Sequence, residues 1–242
     1  MADETILVTG ASSGIGAATV RRVAADGADV ALLARSEDRL RDLADEVAAD
    51  HGVETHVVPA DVREPAEVAA AVESTVETLG GLTGVVVNAG LARGSDIETM
   101  TDEEFLTMQR VNTEGAFYTA RESLAALRET AGNIVFIGSF AGKYPRPFNP
   151  VYAATKWWIR GFAMSLAAQV GDDDIGVTVV NPSEVRTEFE SADGTPFEDV
   201  FDEGEVTEPE EVADAVAFAL SQEPPTTVNE LDVYRRDKFG HF

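Results

Sequence analysis

Thr5-Ile6-Leu7-Val8-Thr9-Gly10-Ala11-Ser12-Ser13-Gly14-Ile15-Gly16 stands near the start of this 242-residue chain. Its first five residues are apolar or β-branched with little polar alternation, the pattern of a strand buried on both faces. Three glycines follow in Gly-x3-Gly-x-Gly spacing. Glycine lets the backbone turn tightly and approach a ligand closely. Beyond Gly14 the pattern becomes helical, with Ala17, Ala18, Val20, Val23 and Ala24 on inward faces. A helix N-terminus presents free amide N–H groups and a positive dipole end, so the turn reads as a phosphate site. An ordinary strand-to-helix turn is the competing reading. The buried strand before the turn and the alternating segments after it favour phosphate.

Working outward, strand-like and helix-like segments alternate to the end of the chain. Strands are expected at Thr5 to Thr9, Asp29 to Ala34, Thr55 to Pro59, Val85 to Val87, Asn133 to Gly138, Val177 to Asn181 and Glu230 to Val233. Helices are expected at Gly14 to Gly27, Glu37 to His51, Pro65 to Leu79, Pro209 to Ser221 and around Tyr152 to Val170. One long helix, about Asp102 to Thr130, carries a possible break near Gly115. Apolar strands alternating with helices imply an α/β fold: a Rossmann-like, doubly wound parallel sheet in a three-layer α/β/α arrangement. No repeat or interdomain linker appears, so residues 1–242 are read as a single domain. The one long irregular stretch, 183–207, reads as a functional loop.

The second informative stretch is Tyr152-Ala153-Ala154-Thr155-Lys156, with Ser139 thirteen residues upstream. Residues four apart share a helix face, so the phenol and the ammonium can reach one small volume. A nearby cation lowers a tyrosine pKa and suits the phenol to proton transfer near neutral pH. The chain has three lysines, at 143, 156 and 238, against fifteen arginines, which makes a lysine at this place notable.

Composition narrows the class further. Without cysteine there is no disulfide, thiolate chemistry or cysteine-ligated metal, and three scattered histidines make a histidine zinc site improbable, so no metal is expected. No apolar run is long enough to span a bilayer and the acidic N-terminus resembles no targeting peptide, which points to a cytoplasmic protein without a membrane partner. Acidic residues number 44 against 18 basic ones, a formal charge of −26. With no basic patch, nucleic acid is not an expected partner. The acids are spread through every helix-like segment, which suits a protein working in concentrated salt, so a halophilic source is expected.

Taken in order, the glycine turn, Asn88-Ala89-Gly90, Asn112, Ser139 and Tyr152-x3-Lys156 resemble the short-chain dehydrogenase/reductase family, over essentially the whole chain. The resemblance implies an oxidoreductase that moves a hydride between a nicotinamide cofactor and a carbonyl or secondary alcohol. It assigns proton transfer to Tyr152, hydrogen bonding of the substrate oxygen to Ser139, and ribose binding and lowering of the Tyr152 pKa to Lys156. Asn112 would hold a water linking Lys156 to solvent. The implied cofactor contacts are Gly10, Ser12, Ser13, Gly14, Ile15 and Gly16 at the diphosphate. Asp61 and Val62 would lie at the adenine, and Asn88, Ala89 and Gly90 near the adenosine ribose. Pro182, Val185 and Thr187 would meet the nicotinamide end, beside Tyr152 and Lys156. Two positions depart from the family pattern: Val87 stands for a usual asparagine and Ser183 for a usual glycine. A non-catalytic NADP(H)-binding redox sensor on the same fold is the alternative.

Cofactor choice turns on the end of the second strand. An acid there would bind the ribose hydroxyls and repel a 2′-phosphate. This chain has Ala34-Arg35-Ser36 instead, with Arg35 where NADP-preferring members carry a basic residue and Ser36 able to add a hydrogen bond. NADP is therefore expected over NAD. By the same resemblance the substrate pocket draws on Phe140, Tyr144, Pro145, Phe148, Asn149, Glu184, Phe189 and Phe197, suited to a modest hydrophobic substrate. Arg146 and Arg186 could each receive one carboxylate. Trp157 and Trp158 read as packing or subunit contacts. The cationic and aromatic tail, 234–242, is expected to pack on a neighbouring subunit of a homotetramer or homodimer.

Overall fold

The computed structural model describes residues 1–94, 96–190 and 194–241; residues 191–193 of the expected substrate loop and Phe242 of the tail lie outside them. Seven strands form one parallel sheet: β1 (Thr5–Thr9), β2 (Asp29–Ala34), β3 (Thr55–Pro59), β4 (Gly84–Val87), β5 (Asn133–Ile137), β6 (Gly176–Pro182) and β7 (Glu230–Val233). Their spatial order is β3-β2-β1-β4-β5-β6-β7. The chain winds outward from β1 to β3, returns to β4 beside β1, and then winds the other way. The helices are α1 (Gly14–Ala25), α2 (Glu37–His51), α3 (Pro65–Leu79), α4 (Asp102–Gln109), α5 (Gly115–Thr130), α6 (Pro150–Val170), α7 (Phe197–Val200) and α8 (Pro209–Leu220).

Side chains alternate across a strand, and here the two faces sort into two cores. Ile6 and Val8 of β1 pack with Val20 of α1, Leu40 of α2 and Val216 of α8. Leu7, between them, packs on the opposite side with Val68 of α3, Ala120 of α5 and Ile159 of α6. The same division holds in β5, where Val135 and Ile137 join the first core and Ile134 and Phe136 the second. Strands covered on both sides lose the polar alternation that a half-exposed strand would show.

Details of the long helix, the 183–207 stretch and the tail go beyond the sequence expectation. The long helix over 102–130 is interrupted just before Gly115, as expected. A π-turn at Arg110–Glu114 widens it, and the Gly115 N–H bonds to the Arg110 carbonyl across it. The stretch 183–207 is not irregular throughout. It contains α7, a bridge between Val185 and Thr207, and another between Glu190 and Pro196. The tail, expected to pack on a neighbouring subunit, makes contacts within its own chain. Phe239 packs against Phe140, Tyr144 and Tyr234, and Lys238 pairs with Glu184.

Candidate active site

At a doubly wound sheet, loops diverge beyond the carboxyl ends of the strands where the winding reverses, and ligands bind in the crevice between them. Here that crevice is a cleft of about 1060 Å³ over the ends of β1, β4, β5 and β6. The glycine turn forms one wall. Gly10 and Gly14 have φ of +66° and +52°, a region that side chains with a Cβ rarely adopt. Gly16 is required by closeness instead: a Cβ there would stand 2.1 Å from the Gly10 carbonyl oxygen. Gly10, Ser13, Gly14 and Ile15 face the cleft; Ser12 opens onto a shallow neighbouring groove, and Gly16 lies behind the turn.

Asn88 braces this wall. Its amide donates to the carbonyls of Thr9 (2.9 Å) and Gly10 (3.2 Å). Thr9, not among the expected site residues, accepts from the backbone N–H groups of Asn88 (3.0 Å) and Ala89 (3.1 Å) through its hydroxyl. A threonine ending a buried strand just before a glycine was the available signal. Ala89 and Gly90 line the cleft, and a Cβ on Gly90 would come within 3.5 Å of both Asn112 Oδ1 and Lys156 Nζ.

At the end of β2 and β3, Arg35, Asp61 and Val62 line the cleft, whereas Ser36 does not. Ser36 caps α2 by position alone, with no side-chain hydrogen bond to the helix. The Asp61 carboxylate is clasped by Arg63, which donates from its backbone N–H (3.0 Å) and its guanidinium (2.9 Å from Nε to Oδ2). These hydrogen bonds hold the Asp61 carboxyl below the ordinary carboxylate range. Arg63, not among the expected site residues, also faces the cleft near Arg35 and is paired with Asp61.

Ser139, Tyr152 and Lys156 meet at the centre, all buried. The Ser139 hydroxyl oxygen accepts from the Ala141 N–H at 3.1 Å. The Ser139 side chain lies close enough to the Tyr152 phenol to favour its ionised form. Asn149 caps α6 by accepting from the Tyr152 N–H (3.0 Å) and ties that end to the Gly94 carbonyl (2.8 Å), which fixes where the phenol points. Lys156 Nζ donates to the Ile137 carbonyl at 2.8 Å and lies 5.8 Å from the Tyr152 ring centroid. The expected lowering of the Tyr152 pKa by Lys156 is not among the influences on the phenol here. Burial pushes Tyr152 up, opposed first by the Arg146 charge and then by the Ser139 hydrogen bond. Burial also pushes Lys156 down, to about 8. Both groups share the same dry volume, and burial disfavours each charged form.

Asn112 sits in the π-turn and does not line the cleft. Its side-chain oxygen accepts from the Leu91 N–H (2.9 Å), and its amide donates to the Leu91 carbonyl (2.8 Å) and to Thr155 Oγ1 (3.0 Å). The side chain thus joins the loop after β4 to α6, and those bonds occupy it.

At the other end, Pro182, Val185 and Thr187 line the cleft as expected, together with Phe140, Pro145, Phe148, Glu184, Phe189 and Phe197. Phe189 meets the Tyr152 ring edge-on at 5.7 Å. Tyr144 and Asn149 do not line it. Tyr144 stacks on Phe140 at 4.5 Å beneath the tail, and Asn149 is the buried cap of α6. Val200 and Phe201, and Arg235 and Lys238 of the tail, complete the wall. Only the fold of the chain's end onto its own cleft brings the last two there.

Comparison with known proteins points the same way. A family model described as short chain dehydrogenase matches residues 4–196. An uncharacterised oxidoreductase of Staphylococcus aureus is 32% identical over 234 residues, covering 96% of this chain and 97% of that one. The structure of an alcohol dehydrogenase from the archaeon Thermococcus sibiricus, complexed with 5-hydroxy-NADP, superposes with a TM-score of 0.88 at 31% identity and 96% coverage of each chain. A 3-ketoacyl-(acyl-carrier-protein) reductase from Brucella melitensis, complexed with NADH, gives 0.86 at 28% identity, over 96% of this chain and 97% of that one.

Proposed function

Because the chain belongs to the short-chain dehydrogenase family, we propose that it is an NADP-dependent oxidoreductase that interconverts a carbonyl and a secondary alcohol, with Tyr152 as general acid and base. The observation that carries this reading is the convergence of the Ser139 hydroxyl, the Tyr152 phenol and the Lys156 amine on one cleft, opposite the glycine turn. The residues present fit a dinucleotide. Gly10, Ser13, Gly14 and Ile15 of the turn line the cleft, where a pyrophosphate would lie, and the buried Ser183 hydroxyl oxygen has no partner among the described residues. NADP(H), when bound, supplies or accepts the hydride.

Within the chain, Ser139 holds the substrate oxygen beside Tyr152. In reduction Tyr152 donates its proton to that oxygen; in oxidation it takes the proton back. Its raised pKa suits the donor role, since a buried phenol stays protonated until an acceptor oxygen arrives. Lys156, whose own pKa lies near 8, is poised to return that proton. Asn112 holds the Gly90–Leu91 turn against α6 and so keeps Lys156 in register. NADP is preferred because β2 ends in Ala34-Arg35 with no acid to repel a 2′-phosphate, and Arg63 stands nearby. The Thermococcus protein binds an NADP derivative and the Brucella protein NADH, so the preference rests on these residues, not on kinship.

Further parts of the reading are a homodimer or homotetramer, a cytoplasmic setting and a salt-rich one. Phe117 of α5 and Trp157, Trp158 and Met164 of α6 remain exposed, an apolar face of the sort that a second subunit covers. The charge of −26 supports the third. Tyr152→Phe tests the central claim. It should keep NADPH binding and lose turnover by about 100-fold or more. A variant with wild-type turnover overturns Tyr152 as the proton donor. A wild type that binds NADPH but reduces nothing on a broad carbonyl panel would favour the sensor.

A further inference from the structure

We infer that the substrate carries a carboxylate within a few bonds of its reacting carbonyl or alcohol carbon, and that Arg146 receives it. The inference rests on the reading of the cleft given above and adds the substrate class. Arg146 stands on the wall beside Tyr152, its guanidinium carbon 5.1 Å from the Tyr152 ring centroid and 4.6 Å from that of Phe148. Two rings hold the guanidinium in place from its faces and leave its N–H edges for a ligand.

The other cations around this end of the cleft are already used. Arg93 pairs with Glu190, Arg235 with Asp237 and Lys238 with Glu184. Arg186, the second candidate for a carboxylate in the sequence, is held by both oxygens of Glu208 at 2.9 and 3.0 Å. Arg35 lies at the opposite, adenosine end. Arg146 forms no ion pair among the described residues, and its buried Nε has no hydrogen-bond partner. In a chain with 44 acidic residues, surface arginines readily find acids, and a half-buried one without any is a cost unless a ligand supplies the anion.

The surroundings strengthen such a contact. Pro145, Phe148, Phe189, Phe197 and Phe201 make that end of the cleft apolar. Against apolar rings a guanidinium–carboxylate pair is stronger and more directional than in open water. The distance to Tyr152 keeps the carboxylate near the reacting carbon. The Arg146 charge also opposes the upward push of burial on Tyr152. A carboxylate that neutralises Arg146 would remove this opposition and keep the phenol protonated, as reduction requires.

The test uses the intact protein at high salt with NADPH. Phenylglyoxylate and 3-oxo-3-phenylpropanoate are compared with their methyl esters, on wild type, Arg146→Gln and Arg146→Lys. The expected result is a wild-type preference for at least one acid of about tenfold or more in kcat/KM. Arg146→Gln should lose about 10- to 100-fold on that acid, mostly through KM, and roughly tenfold less than that on its ester, where only the effect of the Arg146 charge on Tyr152 remains. Arg146→Lys should recover part of the loss. In parallel, phenylacetate and phenylacetamide are titrated calorimetrically into the NADP-loaded protein, a readout that needs no turnover. Only the acid should bind, and Arg146→Gln should abolish it. Equal use of acid and ester by wild type, or an equal loss on both in Arg146→Gln, overturns the inference, the latter because Arg146 would then act through Tyr152 alone. Ester reduction without acid preference leaves the dehydrogenase reading standing. Selective phenylacetate binding without any carbonyl turnover supports the anion site and sinks the reaction. The wild-type acid–ester comparison stands even if a variant fails to fold.

Discussion

Replacing Lys156 by methionine should make the cofactor-free protein more stable at neutral pH, although it should abolish function. Burial lowers the Lys156 pKa from 10.5 to about 8. Below pH 8 both the folded and the unfolded chain hold the proton, and the whole burial penalty weighs on the fold. For this displacement it is about 3 kcal/mol. Between the two pKa values the unfolded chain is protonated and the folded one is not, so stability rises with pH across that window. Methionine has a similar length and no charge, so it removes the penalty. It also leaves the Ile137 carbonyl without its donor, at a cost of about 1–3 kcal/mol. The net gain at pH 7 is therefore from about zero to 2 kcal/mol. The pH dependence is the cleaner quantity, because the cost at Ile137 does not titrate. The stability difference between variant and wild type should shrink by about 2 kcal/mol from pH 7 to pH 10. Guanidinium chloride unfolding, followed by circular dichroism without cofactor, measures it, and self-repulsion of the acidic surface cancels in the difference. A difference that stays flat over this range would refute the reasoning, since Lys156 would then titrate alike in both states.

Further outcomes follow from the same geometry. Gly16→Ala should destabilise by about 3 kcal/mol or more, because its Cβ would stand 2.1 Å from one backbone atom and 2.7 Å from Asn88 Nδ2; Gly161→Ala, which meets nothing within 4 Å, should stabilise by about 0.5–1 kcal/mol. Similar melting temperatures for the two variants would contradict the close approach at Gly16. Ala34→Asp combined with Arg35→Ala should move preference toward NADH, and unchanged Michaelis constants for both cofactors would remove the basis for NADP. Dialysis into dilute buffer should unfold the protein as screening is lost; an unaltered far-ultraviolet spectrum would count against salt adaptation. Deleting residues 235–242 should raise the substrate KM and leave the mass by light scattering unchanged, whereas a fall in mass would return the tail to a subunit interface.

How much of this was legible beforehand depends on the range of the interactions. The buried strands declared themselves because Ile6, Leu7 and Val8 are all apolar. Tyr152 and Lys156 were placed together by helical spacing, and the glycine turn by the φ values that only glycine adopts cheaply. Each is a property of a few consecutive residues. The break in the 102–130 helix was legible near Gly115, but not its form, since a π-turn is set by what the widened turn must reach, here Leu91 and Thr155, and not by local propensity.

The chain alone therefore carried the parallel α/β frame, the glycine turn and the Tyr152–Lys156 pair in its local period and spacing, and the family resemblance added Ser139. Tertiary structure decided the rest, because it depends on pairs far apart in sequence. It occupied Arg186 with Glu208 and left Arg146 open, and it folded Lys238 back to Glu184 to close the cleft with the chain's own end. It also reversed the expected sense of the Tyr152 pKa. Spacing brings a cation near a phenol, but how far each is removed from water is set by what packs around both, and here burial outweighs charge.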